Sequence, residues 1–143
     1  MNKIKISYLY YPYGDSMSES IEDFLEKTYL FTKDKNRPIK TTELAKLLNI
    51  KPPAITNMAK KLHKLGYVEY EPYIGIRLTE KGIEKAKIII DKHNIIETFL
   101  VECLGLEKEV AYREACKLEH AMSDRVFKRF KEFVENHIKC KKT

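Results

Sequence analysis

Residues 41–68 read TTELAKLLNIKPPAITNMAKKLHKLGYV, and this stretch limits the possible folds more than any other part of the chain. Apolar residues recur at helical spacing on both sides of a short turn at Asn49, which predicts two helices joined by that turn. Pro52 and Pro53 suit the first turn of the second helix, where the missing N–H of proline is no loss. Gly66 is placed to end this helix in a left-handed conformation.

A short β-hairpin is predicted directly after this pattern. The stretches YVEYE and IGIRLT have the character of strands and flank Pro72 and Tyr73, which suit a turn. Two helices followed by a hairpin are the order of elements in a winged helix-turn-helix. We therefore expect a mainly α fold that begins with three helices and a two-stranded β wing.

The length of 143 residues is enough for one domain or for two small subdomains that share a core. Ser18 or Ser20 can cap a first helix that runs to about Thr32. The expected organisation is an N-terminal extension over 1–17, a winged helix-turn-helix over 18–78 and a helical domain over 79–143, with helices from Thr79 to Leu100 or beyond, over 107–120 and over 123–137.

The second helix of the pattern is expected to enter the major groove of DNA, and the wing is expected to lie near the sugar-phosphate backbone of the DNA. Threonine and asparagine can read base edges there, whereas lysine mainly contacts phosphates. The span 33–92 holds 14 Lys+Arg against 7 Asp+Glu, so the basic excess lies in the same segment. A helical hairpin used only for packing is the alternative. Tyr70 is also expected to face the DNA backbone. The predicted DNA-binding residues are Lys51, Pro53, Ala54, Thr56, Asn57, Lys60, Lys61, Tyr73 and Arg77.

Composition limits the cellular context and the chemistry. No apolar run reaches the ~18 residues of a membrane span, and the start lacks the apolar region of a secretory signal, so we expect a cytoplasmic protein without a membrane partner. The three cysteines have no CxxC spacing, which argues against a disulfide framework or a zinc ribbon. We expect no enzyme, since Gly-rich loops and a nucleophile elbow are absent from the sequence; catalysis and a thiol switch at Cys116 are the alternatives.

Ligand-type side chains recur at helical spacing in three predicted helices, so that each set shares one helical face. Helical bundles build metal sites from side chains that project inward in this way. Carboxylates, imidazoles and one thiolate suit Fe(II), Mn(II), Co(II) or Zn(II), and the cysteine favours Fe(II) or Zn(II). Each set alone is also compatible with a solvated helix face or a core cysteine. The sets are Asp23 with Glu26, His93 with Glu97, and Cys116 with Glu119 and His120.

Four stretches resemble the diphtheria toxin repressor and manganese transport regulator family of metal-dependent repressors, over roughly residues 18–137. They are SIEDFLEKTYLF, TTELAKLLNIKPPAITNMAKKLHKLGYVEYEPYIGIRLTEKG, KHNIIETFL and EACKLEHAMSD. The resemblance implies a DNA-binding winged helix followed by a metal-binding and dimerisation domain. Because the chain ends near residue 143, we expect no SH3-like third domain, as in the shorter manganese regulators.

The resemblance also implies a mixed set of metal ligands. Asp23 and Glu26 stand at first-helix ligand positions of the manganese branch, and the iron branch has methionine where Asp23 stands. His93 matches a ligand histidine of both branches. The physiological metal is therefore expected to be Fe(II) or Mn(II), with Co(II), Ni(II) or Zn(II) able to replace it in vitro.

The stretch EACKLEHAMSD is similar to the iron branch instead. Cys116, Glu119 and His120 match its CxxEH motif, whereas the manganese branch has glutamate at the position of Cys116. Glu97 matches a ligand of an ancillary site in the iron branch. Tyr112 stands where that branch has a further ancillary histidine, so a second site of that kind is not expected to be complete.

The resemblance implies a homodimeric repressor that binds double-stranded operator DNA and controls metal-uptake genes, with no other protein partner. Metal is expected to fix the first helix against the dimerisation domain and so to set the spacing of the two recognition helices. That spacing has to match successive major grooves, about 34 Å apart. The main alternative is a winged-helix regulator that does not respond to metal; a metal-dependent enzyme is the less favoured one.

Overall fold

A computed structural model describes residues 19–141. The predicted extension over 1–17 and the candidate cap Ser18 lie outside this range. The elements in chain order are α1 (Glu19–Lys35), α2 (Thr41–Leu48), α3 (Pro52–Lys64), β1 (Val68–Glu71), β2 (Gly75–Leu78), α4 (Glu80–Glu102), α5 (Lys108–Leu118) and α6 (Asp124–Lys141). The mainly α fold with a two-stranded wing is confirmed.

The turn and the helix ends of the helix-turn-helix lie where the sequence predicts them. Asn49 ends α2 in a left-handed conformation with φ of 54°, and α3 begins at Pro52. Gly66 follows α3 with φ of 82°, a conformation that glycine adopts without steric cost. Phe24 and Leu25 of α1 are fully buried in the core beneath these helices, so α1 is part of the winged helix.

The wing is an antiparallel hairpin whose register decides which side chains face outward. Tyr70 pairs with Ile76, is half-buried and packs against the core, so it projects less from the wing than expected from the sequence. Alternation along the strand turns its neighbour Glu69 to the exposed side, opposite Arg77. Tyr73 at the tip has a φ of 67° and is fully exposed.

Helix α4 begins against the wing. The hydroxyl of Thr79 accepts a hydrogen bond from the backbone N–H of Gly82 and donates one to the carbonyl of Gly66. A Cβ on Gly82 would lie 2.1 Å from the carbonyl oxygen of Tyr67, so only glycine permits this approach. From there α4 packs against α1, α5 and α6 and connects the wing to the rest of the fold.

A second apolar cluster lies between α4, α5 and α6, and includes Ile96, Leu100 and Ala115. Helix α5 ends at Leu118, earlier than the predicted range 107–120. The residues 119–123, here called the α5–α6 turn, are fixed from outside the helix by contacts described below. None of the helices between residues 19 and 141 combines the length and apolar character needed to cross a bilayer.

Candidate metal centre and DNA interface

The Glu119 carboxylate connects the two histidines of the predicted site. Its Oε2 atom lies 2.7 Å from Nδ1 of His93, and its Oε1 atom lies 3.3 Å from Nε2 of His120. Glu119 is only 2% exposed because α4 and α1 pack on either side of the α5–α6 turn that carries it. The carboxylate therefore lies between a histidine of α4 and a histidine that reaches towards α1.

On the α1 side, three carboxylates surround His120. Its Nε2 atom lies 3.0 Å from Oδ1 of Asp23, and its Nδ1 atom lies 2.7 Å from Oε2 of buried Glu22. Asp23, Glu26 and Glu119 can each offer one oxygen so that all three lie within 4.8 Å of one another, and the same holds for Glu19, Asp23 and His120 with the imidazole nitrogen. Asp23 belongs to both groups.

On the α4 side, His93 is contacted through both ring nitrogens. The Sγ atom of Cys116 lies 3.8 Å from Nδ1, the nitrogen that also contacts Glu119. The Oε2 atom of Glu97 lies 3.2 Å from Nε2, and the ring of Tyr112 packs edge-on against the imidazole at 4.8 Å. Glu97 is thus on the opposite edge of His93 from Cys116 and Glu119.

The predicted ligands form one connected cluster, but His120 sits differently from the expectation. Cys116 lies within α5, whereas Glu119 caps this helix and His120 belongs to the α5–α6 turn. The prediction that all three share the face of a continuous helix was therefore wrong for His120. His120 follows the helical cap residue Glu119, and its imidazole contacts Asp23 of α1.

Sequence reasoning missed two acids that contribute to the cluster. Glu22 is 6% exposed and holds Nδ1 of His120; its spacing of three from buried Leu25 was a signal that it faces inward. Glu19 lies one turn before Asp23 and falls within ligand distance of Asp23 and His120. An acid in the first turn of a helix is also favoured by the helix dipole, which hides such a role in a sequence.

The cluster retains protons in the absence of a cation. Burial, and then the charge of Glu26, raise the pKa of the Glu119 carboxyl to about 8. The hydrogen bond that His120 donates to Glu22, together with the charges of Asp23 and Glu119, raises the pKa of His120 to about 9. Burial is also the main reason that the pKa of the Cys116 thiol is raised. A divalent cation would replace these protons, and the mixture of carboxylate, imidazole and thiol fits a transition metal.

The predicted DNA-binding residues lie at the surface of α3 and the wing. Eight of the nine are exposed; Thr56 is half-buried, and its hydroxyl donates a hydrogen bond to the carbonyl of Pro52 at 3.3 Å. In the wing, the side chain of Arg77 stands across from acidic Glu69, so the wing is less basic than α3. Tyr73 is the most exposed large side chain of the wing.

Two family profiles match the chain in succession. The profile described as "Iron dependent repressor, N-terminal DNA binding domain" matches residues 16–76, and the one described as "Iron dependent repressor, metal binding and dimerisation domain" matches residues 79–143.

Two relatives from archaea and bacteria align with most of this chain. An uncharacterized HTH-type transcriptional regulator of Methanocaldococcus jannaschii is 71% identical over 119 residues, which are 83% of this chain and 95% of the relative. The HTH-type transcriptional regulator MntR of Lysinibacillus sphaericus is 33% identical over 116 residues, covering 81% of this chain and 82% of that protein.

Among solved structures, ScaR with bound Zn²⁺ superposes with a TM-score of 0.70 at 33% identity. ScaR is also described as a manganese-activated repressor. The match covers 80% of this chain and 53% of ScaR, so this chain spans about half the length of that protein.

Proposed function

The chain belongs to the diphtheria toxin repressor and manganese transport regulator family, and from this premise we propose that it represses metal-uptake genes in response to Fe(II) or Mn(II). Membership of this family makes it a metal-dependent, DNA-binding transcriptional regulator and not an enzyme. The relevant partners are operator DNA and a second copy of the chain.

The observation that carries the proposal is the position of Glu119 between His93 and His120. Through His120 the cluster reaches Asp23 on α1, and α1 contributes Phe24 to the core of the winged helix. A ligand set that spans these elements connects the DNA-binding part directly to α4 and α5. We propose that the ligands are drawn from Asp23, Glu26, His93, Cys116, Glu119 and His120.

The surrounding carboxylates are proposed to orient the two imidazoles. A ligating histidine commonly holds its second ring nitrogen against a carboxylate, which fixes its tautomer and ring orientation. Glu22 occupies Nδ1 of His120, so Nε2 is the nitrogen directed at Asp23. Glu97 occupies Nε2 of His93 and leaves Nδ1 facing Glu119. In this arrangement Glu97, which we predicted as a ligand, acts as an orienting residue.

Charge supports a role for the cation in closing the cluster. Carboxylates close together repel one another, and the acids of α1 and the α5–α6 turn offer oxygens within 4.8 Å of each other. When bound, the divalent cation supplies the positive charge that this cluster needs. The residues of α1 and of the turn then remain together, and the orientation of the winged helix relative to α4 is restricted.

In a homodimer this restriction acts on DNA binding. Two recognition helices have to enter successive major grooves about 34 Å apart. We propose that the metal-loaded form favours this spacing within a looser ensemble, so that metal and DNA each increase the affinity for the other by the same factor. The proposed ligands differ in the metal they prefer. Cys116 favours Fe(II), whereas Asp23 and Glu26 favour Mn(II).

The test is a binding titration with a site selected from a random duplex library. Selection is carried out in parallel with Mn(II), with Fe(II) under anaerobic reducing conditions, and with a chelator. We expect tight sites only in the metal arms, and at least a fivefold loss of affinity when chelator is added. Equal affinity in all three arms would instead support the metal-independent winged-helix regulator.

A pair of variants tests whether the effect of metal on DNA affinity arises at this cluster. His120→Ala removes the imidazole between Glu119 and Asp23, and is expected to abolish activation by metal while leaving the helical content unchanged. His137→Ala is the matched control, because His137 lies near the end of α6 and stacks on Phe133. Full activation of the His120→Ala variant would contradict the proposed site.

A further inference from the structure

Lys92 is a buried cation that the proposed ligand set does not use. It lies in α4 beside His93 and is only 5% exposed. Its ammonium group donates a hydrogen bond to the carbonyl of Met122 at 2.8 Å and pairs with Oδ1 of Asp124 at 2.7 Å. A buried lysine is costly unless its charge is paired and its donors find acceptors. Here one short segment supplies both the opposite charge and two acceptors.

That segment follows the two ligand candidates of the α5–α6 turn. Glu119 and His120 begin the turn, Met122 lies near its end, and Asp124 is the first residue of α6. The lysine therefore fixes the far end of the turn to the helix that carries His93. This is the same pair of elements that Glu119 and His93 connect at the near end.

The near end of the turn has anchors of its own. The backbone N–H of Glu119 continues the helical bonding to Ala115, and the N–H of Ala121 bonds to Leu118. These contacts orient the start of the turn relative to α5, whereas the contact from Lys92 orients its end relative to α4. The turn is thus anchored at both ends.

We propose that Lys92 is a positioning residue of the metal centre. Its ammonium group holds the α5–α6 turn so that Glu119 and His120 already face His93 and Asp23 before a cation binds. The inference rests on the proposed function, because it assumes that this cluster binds metal. Lys92 itself is not a ligand, since a protonated amine has no free electron pair to offer.

The expected loss of metal affinity follows from the role of Lys92 as a positioning residue. Mutation of groups that orient metal ligands commonly lowers metal affinity 10- to 100-fold. Lys92→Met keeps the length and apolar stem of the side chain but removes the charge and the donors. We expect Lys92→Met to bind Mn(II) at least about 10-fold more weakly than the wild type by calorimetric titration.

Lys85→Met is the matched control. Lys85 belongs to the same helix, and its Nζ atom lies 4.0 Å from Oδ2 of Asp124. The hydrogen bond to the Met122 carbonyl comes from Lys92 and not from Lys85. We expect less than a threefold change for this variant. Lys92→Arg keeps the charge and offers several donors, so it is expected to recover most of the affinity.

Two readouts separate positioning from a general loss of stability. The visible spectrum of bound Co(II) reports the ligand set at saturation, and it is expected to change in Lys92→Met and not in Lys85→Met. Amide hydrogen exchange without metal is expected to be faster across the α5–α6 turn of Lys92→Met, with the core of the winged helix unaffected. If Lys92→Met fails to fold, Lys92→Gln is measured in the same way.

Three results would overturn the inference. One is a Lys92→Met protein with unchanged Mn(II) affinity and Co(II) spectrum but a lower melting temperature, which identifies Lys92 as structural only. Another is unchanged exchange in the turn. The third is a wild-type protein that binds no metal, which contradicts the proposed function itself and is recognised before any variant is made.

Discussion

The Oε2 atom of Glu22 lies 2.7 Å from Nδ1 of His120, although 98 positions separate the two residues in the chain. Glu22 belongs to a helix that forms the core of the winged helix, and His120 belongs to the α5–α6 turn. This contact therefore connects the DNA-binding part to the proposed metal centre even without a cation. It also determines which nitrogen of His120 faces Asp23.

Replacing this acid is expected to change the chemistry of His120. The hydrogen bond that His120 donates to Glu22 is the largest cause of the raised pKa of His120. In Glu22→Gln the pKa should fall towards the usual value of about 6.5, and the affinity for Mn(II) should fall about 10-fold or more. An NMR titration of the imidazole in the metal-free protein measures the first effect. Glu114→Gln, at the surface of α5, is the control, and an unchanged His120 pKa in Glu22→Gln would contradict the assignment.

The pH dependence of metal binding follows from the protons that the cluster holds. The pKa values are about 8 for Glu119 and about 9 for His120, so a cation that binds near neutral pH displaces protons. The affinity for Mn(II) is expected to rise between about pH 6 and 9, with proton release that calorimetry in buffers of different ionisation enthalpy measures. An affinity that does not vary over this range would contradict a site at these two residues.

The stability of the metal-free protein should show the opposite trend. The folded-state pKa of His120 is raised from 6.5 to about 9, so its stabilising contribution is fully present below about pH 6.5 and is lost as the pH rises towards 9. The raised pKa of Glu119 acts in the same sense, because ionisation of this buried acid opposes folding above about pH 4.5. We expect the melting temperature without metal to fall from pH 6 to 9, and His120→Gln to flatten this slope.

Cys116 is expected to influence which metal binds best. Its thiol has a raised pKa and lies 3.8 Å from His93, so it joins a metal site only by losing its proton. Cys116→Ser should weaken Co(II) and Fe(II) binding more than Mn(II) binding, because thiolate favours the softer ions. Competition titrations give the ratio, and Cys140→Ser at the exposed end of α6 is the control. An equal loss for all three metals would exclude the thiolate as a ligand.

The recognition helix provides a separate test of DNA binding. Asn57 is exposed on α3, and its replacement by alanine is expected to cost about 1–3 kcal/mol and to relax specificity at one position of the selected site. Lys60→Ala should weaken binding to all sequences. It should also reduce the slope of log affinity against log salt concentration by the amount expected for about one phosphate contact. Lys128→Ala on α6 is the control for charge alone. Wild-type affinity in both α3 variants would place the DNA elsewhere.

Local rules were sufficient to predict the winged helix. The prolines at the start of α3, the left-handed Gly66 and the cap at Thr79 depend on their immediate neighbours, so they can be read from a sequence. Tyr70 could not be placed in the same way, because the strand register turns it inward and exposes Glu69. Only the pairing with β2 decides this.

The candidate ligands were predicted from spacing, whereas two of the residues proposed to orient them were not. Cys116 and Glu119 have a pattern with chemical meaning, but Glu22 and Lys92 act through partners about 100 and 30 positions away. Such pairs have no local signature.

The central claim is that one metal centre joins α1 to α4 and the α5–α6 turn, and anomalous scattering from a Mn(II)-loaded crystal tests it most directly. We predict a manganese peak within bonding distance of Glu119 and of at least one α1 carboxylate, Asp23 or Glu26. A peak whose ligands exclude α1, or no peak near Glu119 at saturating Mn(II), would contradict the account.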